Sequence, residues 1–202
     1  DFDEFVKNYL NKIGTTAERM TGLLQDMREY STALSHKTKK LQLLDLNTTV
    51  TGILKDLEVM IKEKNAVLHV APLPLVEGVP ILMHQLFYNI IKNALKFNKG
   101  KPVIEIAAHE VTLDDYQKHN LKKNKSYICI RVKDNGIGFN QKFADKIFLM
   151  YQRLEDLHNE KGSGLGLAIC KKIVEDHEGV IFAEGQLNKG ATVSVMLPTP
   201  VR

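Results

Sequence analysis

Three observations predict an α+β protein: a two-layer sandwich, one mixed sheet with helices on one face, preceded by one long α-helix. Residues 1–34 carry apolar side chains at spacings of three and four, the period of a single helical stripe. From residue 41 onward, short apolar runs of strand length alternate with longer runs of helical period. The chain closes on two strand-like runs near enough to pair as a hairpin. Its 202 residues suffice for one domain and an appendage. A charged fraction of 26%, with 13 Gly and 6 Pro, excludes a collagen-like or wholly disordered chain.

The first stripe runs Phe2, Val6, Tyr9, Ile13, Ala17, Met20, Leu24, Met27, Tyr30 and Leu34. A helix over 1–34 is about 50 Å long and cannot fold back to cover its own face, so that face must meet another helix. Residues 35–40 are polar and basic and mark a boundary. Leu41–Leu46 then reads as a strand, and Asn47 as the N-cap of a helix through about Lys64. Val67–Ala71 is a short strand ended by Pro72 and Pro74. Pro80 suits the first position of a helix to about Phe97. Val103–Val111 and Tyr127–Lys133 are paired strands, with the Lys-rich stretch 112–126 between them as an exposed hairpin tip. A helix over Gly164–Glu178 stops at Gly179, and Val180–Glu184 with Ala191–Leu197 form the closing hairpin.

A net charge of +4 without a basic stripe argues against a nucleic-acid binder. The apolar-rich stretch 79–91 falls short of the roughly 20 residues a membrane helix needs. Cys129 and Cys170 stand far apart in no metal-binding spacing and read as small buried residues. No signal peptide opens the chain, and the helical pattern already under way at Asp1 reads as part of a longer protein.

Chemistry concentrates in three segments. Asp134-Asn135-Gly136-Ile137-Gly138 follows an apolar strand, and Gly162-Ser163-Gly164-Leu165-Gly166-Leu167 enters an amphipathic helix. Glycines at a helix N-terminus let backbone N–H groups approach phosphate, although either segment alone could be a tight turn. Neither has Walker or dinucleotide-binding spacing. The third segment is Asn89-Ile90-Ile91-Lys92-Asn93-Ala94-Leu95-Lys96-Phe97. Asn89, Asn93 and Lys96 share one helical face, and Ile90, Ile91, Ala94 and Leu95 the opposite one. Two amides and an ammonium suit a hydrated Mg²⁺ and the phosphates it bridges.

In this order the segments resemble the nucleotide-binding domain of sensor histidine kinases, in the gyrase/Hsp90/histidine-kinase/MutL superfamily with its Bergerat-type ATP-binding fold. Asn89–Phe97 is similar to the family's N box, Asp134–Gly138 to its first glycine box, and Gly162–Leu167 to its second. Ile147–Arg153 resembles the F box, with Tyr151 in the second aromatic place. The helix at 1–34 resembles the second helix of the dimerisation and phosphoacceptor hairpin. The resemblance divides the chain into 1–36, helix plus linker, and 37–202, the ATP-binding catalytic domain.

What the resemblance implies is a set of roles. Asp134 accepts a hydrogen bond from the adenine amine, while Gly136 and Gly138 let the base lie against backbone. Asn93 ligates Mg²⁺, Asn89 and Lys96 address the phosphates, and Phe97 packs near the sugar or base. Gly162, Ser163, Gly164, Leu165 and Gly166 line the phosphate loop, and Tyr151 joins the nucleotide contacts. Residues 139–163 form a mobile lid, with Arg153 and Lys161 as its cations.

Hydrolytic superfamily members place a Glu general base four residues before the metal-binding Asn, whereas here that position is Asn89. An amide takes no proton at neutral pH, so transfer to an imidazole is favoured over hydrolysis. None of the seven histidines fits the family's acceptor: His36 lies in the basic linker, and His177 sits at a helix end where a cation suits the dipole. The acceptor is therefore expected outside this chain. ATP and Mg²⁺ are the expected cofactors. Partners are a response-regulator receiver domain and a second copy through the helix at 1–34, with membrane contact only through regions outside these residues. The expected location is the cytoplasm. Two other readings stay open: a serine kinase of the anti-sigma-factor or dehydrogenase-kinase type, and a non-catalytic degenerate kinase.

Overall fold

The computed structural model describes residues 40–150, 152 and 164–200, together with 6, 7, 9, 10, 13, 14, 16, 17, 20, 21 and 24. Those early residues are helical, in line with the three-and-four spacing, and Val6, Tyr9, Leu10, Ile13, Met20 and Leu24 are all exposed.

Strand β1 (Gln42–Asp45) pairs antiparallel with β3 (Leu75–Gly78) in a two-stranded ribbon. The second sheet has five strands: β2 (Val67–Val70), β4 (Val103–Glu110), β5 (Tyr127–Asp134), β6 (Val180–Gln186) and β7 (Gly190–Pro198). Their order is β2-β4-β5-β7-β6, with β2 parallel to β4 and every other pair antiparallel. The sheet is therefore mixed, as expected.

Alternation along the strands separates two faces. Ile104, Ile106, Ile130, Val132, Val195 and Leu197 turn to one side. There they meet helices α1 (Leu46–Asp56), α3 (Pro80–Lys96) and α5 (Gly166–Asp176). Helix α3 is central because its apolar residues occupy more than half its circumference: Leu82, Met83, Leu86, Phe87, Ile90, Ile91, Ala94 and Leu95 are buried. Each of the larger ones contributes roughly 1.5–3 kcal/mol by leaving water.

Several boundaries differ from expectation. Leu46 opens α1 rather than ending β1, and the N-cap is Asp45, whose Oδ1 accepts the Asn47 N–H at 2.9 Å. Asn47 is drawn elsewhere: its amide donates to Leu73 O at 2.7 Å and accepts Leu73 N–H at 2.9 Å. This fixes the approach to β3, a strand the proline-flanked sequence concealed. The helix expected through Lys64 breaks at Leu57 and resumes as α2 (Glu58–Glu63).

The stretch 112–126 is not a bare hairpin tip. Thr112 and Asp115 form a capping box that starts α4 (Leu113–Lys118). The segment folds over the opposite sheet face, where Tyr116 and Leu121 pack with Tyr127, Cys129, Met196 and Phe182. Helix α2 joins α1, α3 and α5 on the first face through Met60 and Ile61, so among the described α-helices of residues 40–200 only the short α4 lies on the other.

At the end of α5 the left-handed residue is Glu178 (φ 56°), not Gly179. The Gly179 N–H reaches Val174 O at 2.9 Å and the Glu178 N–H reaches Glu175 O at 3.0 Å, the two bonds of a Schellman cap.

Candidate functional site

Asp134 ends β5 on the same side as Ile130 and Val132, so strand alternation alone turns its carboxylate toward the helices. Its Oδ1 accepts the N–H of Gly136 at 2.8 Å and that of Ala191 at 3.3 Å. Oδ2 makes no hydrogen bond among the described residues. Burial pushes the Asp134 carboxyl above its ordinary pKa, outweighing the two N–H donors that act the other way.

The turn after Asp134 is stitched to the end of α3. Ile137 N–H donates to Phe97 O at 3.0 Å. Asn135 Oδ1 accepts from Asn98 Nδ2 at 2.6 Å and from Val103 N–H at 2.8 Å, and its Nδ2 donates to Lys101 O at 3.1 Å. Gly136 has no room for a side chain, since a Cβ there would stand 2.3 Å from Phe97 O. Gly138 adopts φ +59°, with its would-be Cβ 2.0 Å from Gln186 O.

On α3, Asn89, Asn93 and Lys96 are half-buried along one face, beside the buried core stripe. The Lys96 Nζ lies 4.6 Å from the centre of the Phe97 ring. The amide nitrogen of Asn89 is buried without a hydrogen-bond partner among the described residues. Facing it is the start of α5, where Gly164 turns the chain at φ +76° and a Cβ on Gly166 would lie 3.8 Å from Asn89 Cγ. No side chain caps α5 at Leu165, so its first-turn N–H groups point outward. The Asn89 amide nitrogen thus lies opposite a helix start that Leu165 does not cap with its side chain.

Contacts thus tie Asp134, Gly136 and Phe97 together at the end of α3, and Gly166 to Asn89 about two turns earlier; Asn93 and Lys96 lie between them on the same face of α3. Tyr151, Arg153, Gly162, Ser163 and Lys161 lie outside the described residues. The stretch expected as a lid from 139 begins with a packed section. Phe139 and Phe148 are buried with Ala183 and Leu167. The Gln141 amide accepts Gly185 N–H at 2.9 Å and donates to Ala183 O at 3.3 Å along the edge of β6.

No cluster of three His, Cys, Asp or Glu side chains able to hold a metal occurs among the described residues. The side-chain oxygen donors that α3 brings to this site are the amides of Asn89 and Asn93. That set suits Mg²⁺, which keeps most of its waters and takes its remaining ligands from phosphates.

Two participants escaped sequence reasoning. Ala191 acts through its backbone and carries no signal. His177 was expected as a helix-end cation, but its Nε2 accepts the Val79 N–H at 3.1 Å, a role only the neutral ring can fill.

Residues 78–201, more than half the chain, match the profile of the family described as histidine kinase-, DNA gyrase B-, and HSP90-like ATPase. The chain belongs to this family. Within it, the chain is 36% identical over 180 residues to cyanobacterial phytochrome A of a Nostoc species, covering 89% of this chain and 22% of that protein. It is 30% identical over 206 residues to the sensor protein kinase WalK of Staphylococcus haemolyticus, covering 98% of this chain and 32% of that one. It thus spans about a quarter to a third of these curated relatives. The ATPase-family fold is shared with the catalytic domain of the histidine kinase ThkA, at 23% identity and a TM-score of 0.63 over 80% of this chain and all of that one. ThkA in complex with the response regulator protein TrrA aligns at 19% identity and a TM-score of 0.68, covering 96% of this chain and 52% of that chain.

Proposed function

We propose that this chain binds Mg-ATP and transfers its γ-phosphoryl group to a histidine outside residues 1–202, for relay to a receiver-domain aspartate. The observation that carries the reading is the buried, unpartnered Asn89 amide nitrogen opposite the uncapped start of α5. A buried donor without an acceptor costs free energy. A phosphate oxygen between the two helices supplies the acceptor.

Asp134 takes the adenine amine on its free oxygen while Gly136 and Ala191 hold the other. Phe97, fixed to Ile137 through its carbonyl, borders the base. Asn93 is the protein ligand for Mg²⁺, and Asn89, Lys96 and Gly166 address the phosphates. Bound there, Mg²⁺ neutralises phosphate charge. In the transfer, an imidazole nitrogen forms the new bond to the γ-phosphorus and the bond to the bridging oxygen breaks, releasing ADP; the imidazole's other nitrogen gives its proton to solvent. Asn89 offers a donor and no base where a hydrolase needs a carboxylate, so it supports phosphate binding without activating water.

Residues 1–36 are then the second helix of a dimerisation hairpin and its linker, and 37–202 the catalytic domain. The exposed apolar residues Val6, Tyr9, Leu10, Ile13, Met20 and Leu24 support pairing through that helix. A receiver domain as partner is supported by the ThkA–TrrA complex. No helix among the described residues is long and apolar enough to cross a membrane. The reading assigns this region to the cytoplasm, where ATP is available.

A fluorescent ATP analogue titrated with and without Mg²⁺ tests binding, and γ-labelled ATP tests transfer. Expected are Mg²⁺-dependent binding, no acid-labile label on this chain alone, and label on an added histidine-bearing hairpin segment. Asn93→Asp and Asp134→Asn variants that kept the parent's affinity would sink the assignment.

A further inference from the structure

Helices α3 and α5 run antiparallel and meet at three rungs. At the site, Gly166 faces Asn89. Part-way along, the Cys170 thiol donates to Leu86 O at 3.6 Å. At the far end, the Val79 N–H donates to His177 Nε2 at 3.1 Å. The site rung and the His177 rung are ten or eleven residues apart on either helix, about 16 Å at 1.5 Å per residue.

The third rung is built for a single protonation state. His177 Nδ1 stands 2.7 Å from Ile173 O, and a carbonyl oxygen only accepts, so Nδ1 carries the proton. Val79 N–H only donates, so Nε2 is the bare nitrogen. The ring is 7% exposed and Val79 is 5% exposed, which leaves little room for water to substitute. Val79 is also the N-cap residue of α3, with no capping side chain, and Pro80 behind it has no N–H. The sequence at this helix entrance provides no local partner, and the other helix provides one.

We infer that His177 is a positioning residue. It sets the placement of α5 against α3 and thereby the approach of Gly166 to Asn89 on which phosphate binding depends. The inference rests on the nucleotide reading above and adds a residue remote from the ligand. It also predicts which part of the nucleotide feels the loss. The base side hangs on the other end of α3, through Phe97 O to Ile137 N–H and through the Asn135 bonds. Loosening α5 therefore disturbs the phosphate side and leaves the base side in place.

The experiment measures Mg-ATP and adenosine affinities by calorimetry on the parent, His177→Leu and His177→Gln, with thermal melts of each. His177→Leu keeps the volume but not the acceptor. It is expected to weaken Mg-ATP about tenfold, the scale of one lost hydrogen bond, with adenosine affinity unchanged. His177→Gln, whose Oε1 can accept from Val79, is expected to recover most of that loss. Parallel weakening of both ligands, weakening of neither, or a Gln variant no better than Leu overturns the inference. Should the Leu variant not fold, Val79→Pro removes the donor instead and must show the same split. Independently, ¹⁵N NMR of the unaltered protein must show His177 protonated at Nδ1; an Nε2–H tautomer overturns the clamp. A parent that binds adenosine but shows no added affinity for Mg-ATP fails the phosphate reading itself and takes the inference with it, whereas a parent that binds both with no split in the variants refutes only His177.

Discussion

Asp134 and Ala191 are joined by a hydrogen bond from the Ala191 N–H to Asp134 Oδ1 at 3.3 Å, across 57 residues of sequence. Together with the Gly136 N–H on the same oxygen, it holds the carboxylate in one rotamer before any ligand arrives. Preorganisation of this kind lowers the ordering cost of binding. It also keeps a charge in a place where burial disfavours it.

That conflict gives opposite signs for stability and function. The folded-state pKa of Asp134 is raised, so the folded chain binds this proton more tightly than the unfolded chain. Its contribution to stability is present below the unfolded pKa of about 3.9 and is lost as pH rises through the folded value. Asp134→Asn keeps an oxygen for both N–H groups and removes the charge. It is expected to melt no lower than the parent, yet to bind ATP about 10–100-fold more weakly, the worth of a charge-assisted bond. In the parent, ATP affinity should begin to fall on acidification at a pH above the ordinary aspartate range. Calorimetric titration across pH 4–8 checks this, and a flat profile down to the ordinary range contradicts it.

Gly136 tests the coupling between the turn and α3. Its backbone needs no positive φ, so the demand for glycine is steric: a methyl group would meet Phe97 O at 2.3 Å. That oxygen cannot retreat without breaking its bond to Ile137 N–H at 3.0 Å. Gly136→Ala is expected to cost about 1–3 kcal/mol in urea denaturation, as overpacked positions do. It should weaken ATP binding as well, because the Phe97 end of α3 moves with it.

Where the fold was legible, short-range patterns decided it. Pro80 followed by an apolar stripe set α3, and alternation in β5 placed Asp134 on the helical side. Where it was not, a distant partner won. Asp45 and Asn47 are both good N-cap residues, and Asn47 lost the role because its amide is taken by Leu73, 26 residues away. Strand β3 exists through its register with β1, which no local propensity encodes. The Thr112–Asp115 capping box was readable, and the lysines around it masked the signal. His177 looked like a helix-end cation until the Val79 N–H took its second nitrogen. Of the site, Asn89, Asn93 and Lys96 could be read from spacing on α3 and Asp134 from the family resemblance, whereas backbone donors such as Ala191 N–H could not be read.

Glu178 sets two effects against each other. Its φ of 56° is a left-handed conformation that glycine adopts more easily. Its carboxylate pairs with Lys122 and Lys125, which hold its pKa down to about 2. The side chain is 44% exposed, so salt screens these pairs. Glu178→Gly removes the backbone strain and the ion pairs together. The stability difference between variant and parent should therefore shift toward the glycine variant as salt rises; thermal melts in low and high NaCl that show no such shift contradict it. By sign, the ion-pair contribution is present above the unfolded carboxylate pKa of about 4.3 and is lost as pH falls toward 2.

Asn89 carries the opposite trade. Its amide nitrogen is buried with no hydrogen bond among the described residues and only a weak interaction with the Cys170 sulfur, which burdens the empty fold. Leucine has a similar size and no polar atom to strand, and the neighbouring Ile90 and Leu86 are already core. Asn89→Leu is expected to raise stability by about 1 kcal/mol, the lower end of the cost of an unsatisfied buried donor. For a chain of this length, that corresponds to a melting shift of about 2–4 °C. Mg-ATP affinity should fall at least tenfold, about one hydrogen bond to a charged oxygen, because the phosphates lose the donor that α3 presents to them. Excess Mg-ATP raises the parent's melting temperature by mass action, and the variant should lose that response while starting from a higher baseline. A variant that melts lower than the parent, or one that is stabilised by Mg-ATP as strongly, would show that Asn89 is an ordinary packing residue and not a side chain held in an unfavourable place for a ligand.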